Sequence, residues 1–122
     1  MSSIKIGGRE IPLTFTMLEF ALIEEEVGPL SDIQDLIQTD KHRVRNIVRC
    51  LTIMGNGGLS ARGEKADLTE DGVMRACRPG KLKDFVIAIF EAISEGMQME
   101  TEEEKEHDIF LEEIQRKKGP GD

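Results

Sequence analysis

From Leu82 onward, apolar side chains return at three- and four-residue steps: Leu82, Phe85, Val86, Ile89, Phe90, Ile93 and Met97. A strand would alternate at every second residue, so this spacing belongs to one stripe of an α-helix running from about Lys81 to Gly96. Such a stripe is unfavourable in water, and the remaining chain has to supply the elements that cover it. It is expected to be the central core helix. A weaker version of the same period joins Val44, Ile47, Val48, Leu51 and Met54 in a helix that Asp40 caps and Gly55-Asn56-Gly57-Gly58 ends. Thr16-Met17-Leu18-Glu19 has the S/T-x-x-E form of a capping box and predicts a helix from Met17 to about Val27, stopped by Gly28-Pro29. Ser31-Asp32-Ile33-Gln34 repeats that form before a short helix with Ile33, Leu36 and Ile37 on one side. Thr69 caps another short helix through Cys77, which Arg78-Pro79-Gly80 breaks.

The beginning of the chain follows a different rule. Ile4 and Ile6 on one side of Gly7-Gly8, and Ile11 and Leu13 on the other, predict a two-residue β-hairpin with one apolar face. A lone hairpin is barely stable, so that face must lie on the helices. Residues 56–68 are polar, Gly-rich and without period, and read as a mobile loop. Thr101-Glu102-Glu103-Glu104 opens a last, acidic helix to about Lys118. The fold expected is mainly α: about five or six short helices and an N-terminal hairpin packed as one domain over residues 1–98, followed by an acidic helix or arm over 99–122.

A chain of 122 residues is long enough for one core without a metal or disulfide staple. Its 16 Lys and Arg stand against 24 Asp and Glu, a formal charge of −8, which opposes general attraction to nucleic acid. The absence of Trp and Tyr removes most stacking platforms for bases. The longest apolar run, Phe85 to Phe90, is far too short for a bilayer, so no membrane association is expected. Glu19 interrupts the first apolar stretch, Met17 to Ile23, so no export signal is expected there. Cys50 and Cys77 lack CxxC spacing and are expected to be reduced, half-buried helix residues in a cytoplasm.

No constellation supports catalysis, and neither a cofactor nor a metal is expected. Gly58 to Ala66 superficially resembles a phosphate loop, but Glu64 separates the second Gly from Lys65, and Ala66 stands where a magnesium-binding hydroxyl would be. His107 with Glu103 or Glu104 gives too few ligands for a closed metal site. Two surfaces remain. Lys41, Arg43, Arg45 and Arg49 form a basic face that would contact phosphates in a small prophage nucleic-acid-associated regulator, the alternative reading. Ile109, Phe110, Leu111 and Ile114 form an apolar patch in a stretch, Glu100 to Asp122, with nine acids and four bases; this patch is the candidate partner-binding surface.

The order of the first elements carries a resemblance. Gly7-Gly8-Arg9-Glu10-Ile11-Pro12-Leu13, then Phe15-Thr16, a helix ending Glu24-Glu25-Glu26-Val27-Gly28, then Pro29-Leu30-Ser31-Asp32-Ile33 resembles the small tail assembly chaperones of long-tailed, siphovirus-type bacteriophages and prophages. The stretch Arg45 to Gly55 approximates that family's third helix, and the likeness covers about the first 100 residues. The resemblance implies a non-enzymatic adaptor in the bacterial host cytoplasm. It would coat the aggregation-prone tape measure protein and help recruit tail tube subunits, as a monomer or a homo-oligomer, without a nucleotide. It also implies a longer frameshifted form, and it assigns no individual binding residues.

Overall fold

Gly7 and Gly8 have φ of 59° and 80°, the paired positive values of a type I′ turn, and they join two antiparallel strands, β1 (Ser3–Ile6) and β2 (Arg9–Pro12). Ile4 lies opposite Ile11, and Ile4, Ile6, Ile11 and Leu13 are all buried, as the alternation predicts. The chain continues through α1 (Met17–Glu26), α2 (Ile33–Gln38), α3 (Arg43–Ala61), α4 (Glu70–Ala76) and α5 (Leu82–Met97), with 3-10 turns at Leu30–Asp32 and Pro79–Lys81. This computed structural model describes residues 2–98. The fold is mainly helical with five α-helices and one small hairpin among the described residues, as expected. The helix expected over 101–118 lies outside them.

Three local expectations are corrected. The helix assigned to end at Gly55-Asn56-Gly57-Gly58 runs on to Ala61, so the loop begins at Arg62 rather than Asn56. The glycine that terminates α3 is Gly63, at φ 74°: its N–H donates to the Ser60 carbonyl (3.0 Å) and that of Glu64 to the Leu59 carbonyl (2.8 Å), the bond pair of a Schellman cap. The earlier glycines serve packing instead. A Cβ on Gly58 would overlap the carbonyl of Pro12, and one on Gly55 would sit 2.6 Å from Leu68 Cδ1. Glycine inside a helix costs about 1 kcal/mol relative to alanine. Here the β2 backbone sits against α3 at the distance glycine allows.

The second correction concerns the centre. α5 packs on α3 and β1, whereas α3 touches α1, α2, α4, α5 and β2 and is the hub. Ile47, Cys50, Leu51, Met54 and Leu59 of α3 are completely buried. On α5 the sealed face is Phe85, Ala88, Ile89, Ala92 and Ile93, while Met97, the last residue of the helix, is exposed. Third, α2 has no side-chain N-cap; a 3-10 turn leads into it, with the Glu24 carboxylate accepting from Leu30 N–H (3.0 Å).

Polar groups fasten these elements where apolar contact alone leaves geometry loose. Glu19 is buried, and its Oε1 accepts from the Thr16 N–H (2.6 Å) and from the hydroxyls of Thr16 (2.6 Å) and Thr14 (3.3 Å). That realises the carboxylate half of the capping box and holds the β2–α1 connection. Asn56 makes two bonds to the Leu68 backbone, one to its carbonyl (3.0 Å) and one from its N–H (2.9 Å), and so pins the 62–69 loop. Asn46 donates to the Leu36 carbonyl (2.9 Å), satisfying the end of α2.

Replacing Gly58 by Ala should therefore lower stability by about 3 kcal/mol in urea denaturation, the upper range for overpacking against a backbone that cannot move aside. Gly80→Ala should change it by less than ~0.5 kcal/mol, since nothing lies within 4 Å of a Cβ there and its φ is not positive. A small loss at Gly58 would show that β2 is not held against α3.

Candidate functional site

The first turn of α3 does not fully bury its apolar side. Val44, Ile47, Val48 and Leu51 form one wall of a groove, and Met74 and Cys77 at the end of α4, with Leu82 and Phe85 of α5, form the other. Arg78 and Pro79 close one end, and the groove encloses about 240 Å³. Its lining is predominantly apolar, and Val44 at the lip is 41% exposed. The periodicity of α3 placed Val44 with the core. The missing cover over the first turn of α3 makes it a rim residue instead.

One cation, Arg78, lines the groove, and its wall helices also carry the acids Glu70, Asp71 and Asp84. No acid occurs in residues 41–63, and none in 72–83, which hold Arg75, Arg78, Lys81 and Lys83. Arg75 pairs with Asp71 (2.9 Å) and Lys81 with Asp84 (3.9 Å). Lys41, Arg43, Arg45, Arg78 and Lys83 make no ion pair among the described residues. Arg43 and Arg45 lie in the first turn of α3 and Lys41 just before it, the end where the helix dipole disfavours cations. Helix stability therefore does not account for this cluster.

The four basic residues singled out by spacing do not act as one group. Lys41, Arg43 and Arg45 are exposed, whereas Arg49 is half-buried and occupied: its Nε donates to Glu70 (3.3 Å) and Nη1 to the Glu26 carbonyl (3.2 Å). Arg49 thereby stitches α1 and α4 to α3. The other candidates, Ile109, Phe110, Leu111 and Ile114, lie outside the described residues, as does His107. Gly58 to Ala61, the start of the supposed phosphate loop, is helical.

Among the described residues no group of three or more His, Cys, Asp and Glu is placed to hold a metal, and no helix is long and apolar enough to cross a membrane. Both cysteines are free thiols. Cys50 is completely buried rather than half-buried, and desolvation pushes its thiol up to about 12. Cys77, half-buried beside the groove, is raised by the same cause. Neither thiol is shifted downward, as that of a reactive cysteine is. Comparison with protein-family models, with curated proteins and with solved structures finds no match to this chain.

Two outcomes follow from the thiols. In the native protein Cys77 should alkylate first and Cys50 only on unfolding, with Cys77→Ser removing the early phase in a mass-resolved time course. Because the folded thiol of Cys50 ionises later than the unfolded one, its contribution to stability is complete below the ordinary value of 9.0 and is lost as pH rises toward about 12. The alkaline fall in stability should accordingly be shallower in Cys50→Ala than in the parent, measured by denaturant melts across that window.

Proposed function

We propose that this protein is a non-enzymatic adaptor of the tail assembly chaperone kind, which takes an apolar helical segment of a phage tape measure protein into the groove between α3, α4 and α5. The observation that carries the reading is the groove itself: an open, largely apolar cleft in a small helical domain, of a size to receive apolar side chains from one face of an amphipathic helix. The hairpin, α1 and α2 follow one another in the order on which the family resemblance rests. A formal charge of −8 would keep a complex with an aggregation-prone partner dispersed. In this reading the adaptor works in the bacterial cytoplasm, hands the coated partner to tail tube subunits, alone or as a homo-oligomer, and needs no cofactor.

A second reading rests on the unpaired Lys41, Arg43 and Arg45: a small prophage regulator that contacts nucleic-acid phosphates. One set of experiments separates the two. Co-expression should keep a tape measure protein soluble and co-purifying, and Val44→Glu, at the exposed lip, should abolish this while the circular dichroism spectrum is unchanged. Failure to solubilise or retain any tail component rejects the adaptor. A mobility shift at low salt that weakens steeply with added salt, and that Arg43→Ala/Arg45→Ala removes, would favour the regulator.

A further inference from the structure

β1 leaves one edge of the hairpin without a neighbour. The Leu13 N–H donates to the Ser2 carbonyl (2.9 Å), so residues 2, 4 and 6 turn their backbone groups toward β2. Ser3 and Lys5 therefore turn theirs outward, and the N–H and C=O of both make no hydrogen bond among the described residues. On β2, by contrast, the Pro12 carbonyl lies against Gly58 of α3. Beside the open edge runs α5, in the opposite direction. Ser2 donates its N–H to the Glu95 carboxylate (3.0 Å), while Gly7, past the other end of β1, faces Ala76 just ahead of that helix. Between strand and helix is a cleft of about 410 Å³, walled by Ser3, Ile4 and Lys5 on one side and by Ile87, Ala88 and Glu91 on the other. It lies on another face of α5 from the groove at Val44, with Phe85 common to both.

Some of the charges here are already engaged. Lys81 pairs with Asp84 at one end of the cleft (3.9 Å), and Glu10, opposite Lys5 on β2, accepts from the Ser3 hydroxyl (3.0 Å). Lys5 and Glu91 make no ion pair among the described residues, and Ile87 is 47% exposed. We propose that this cleft takes an extended segment of a partner protein, which adds to β1 as a third, antiparallel strand. Its backbone closes the open bonds of Ser3 and Lys5. An acidic residue stands opposite Lys5, the next residue is apolar and turns toward Ile87 and Ala88, and a basic residue two positions further meets Glu91. A helix laid in the cleft would leave the edge groups unpaired, since its own backbone bonds are internal. A second copy's β1 is the poorer occupant, because an edge lysine disfavours pairing with an identical edge. None of this depends on the adaptor reading.

The probe is a blocked peptide, Val-Glu-Leu-Thr-Lys-Val, added to the full chain, and the readout is amide exchange with water followed by NMR. Exchange at Ser3 and Lys5 should slow about tenfold at about 90% occupancy, because it proceeds from the unoccupied fraction. Ile4 and Ile6, already bonded to β2, should not change. Methylating the backbone nitrogens of the peptide's Glu and Thr, which face β1, should abolish the slowing, whereas methylating that of its Leu, which faces away, should not. Replacing the peptide's Glu by Lys should weaken binding about fivefold, and Lys5→Gln, at an exposed position, should reduce that difference to under about twofold. No slowing at about 1 mM peptide, equal affinity for the Glu and Lys peptides, indifference to the methyl positions, or shifts centred on Val44, Met74 and Leu82 would overturn the proposal. So would slow exchange at Ser3 and Lys5 in the protein alone. If it grew with protein concentration it would place a second copy on the edge, and if it did not, another segment of the same chain. No tape measure protein enters these measurements, so their failure and a failed co-expression reject different claims.

Discussion

The contact on which the rest of the structure depends is the seating of β2 on the glycines of α3. Gly58 admits the Pro12 carbonyl, and Gly55 admits Ile11 and Leu68, at distances that any side chain would forbid. Thr14 then donates its N–H to the Met54 carbonyl (3.2 Å), so the strand is bound to the helix through its backbone as well as through apolar surface. The hairpin could not stand alone in water. With its apolar face on α3 it becomes one side of the core, and it positions Thr14 and Thr16 to hold the Glu19 carboxylate that orients α1.

Around that contact α3 acts as the common partner, and its polar residues decide where the other elements lie. Asn46 receives the end of α2, Arg49 spans α1 and α4, and Asn56 holds the loop before α4. Each joins segments separated in sequence and satisfies a backbone group or carboxylate that packing would otherwise leave unpaired. The one stretch of α3 without full cover is its first turn. That gap, between helices fixed elsewhere, produces the groove. The same turn concentrates cations where the helix dipole opposes them.

Net charge gave an incomplete picture for this reason. The sum of −8 argues against anionic partners, but it averages a strongly acidic end with a body in which 41–63 and 72–83 contain no acid at all. The alternation of these segments was present in the sequence. The groove they border was not, because Val44 to Leu51 meet Met74, Cys77, Leu82 and Phe85 only when α4 and α5 pack on α3.

The sequence by itself determined the kinds of element and most of their limits: the hairpin from Gly7-Gly8 and its flanking isoleucines, α1 from Thr16 and Glu19, α4 from the Thr69 cap, and α5 from its apolar period. These are local matters of backbone freedom, capping bonds and spacing. The tertiary structure alone decided that α3 passes through its glycines, that it and not α5 is the hub, and that Val44 is a lip residue rather than core. The physical reason is common to all three. A glycine in a helix is a defect when only neighbours in the chain are considered, and a packing site once a second backbone, here that of Pro12, comes to occupy the space its missing side chain leaves.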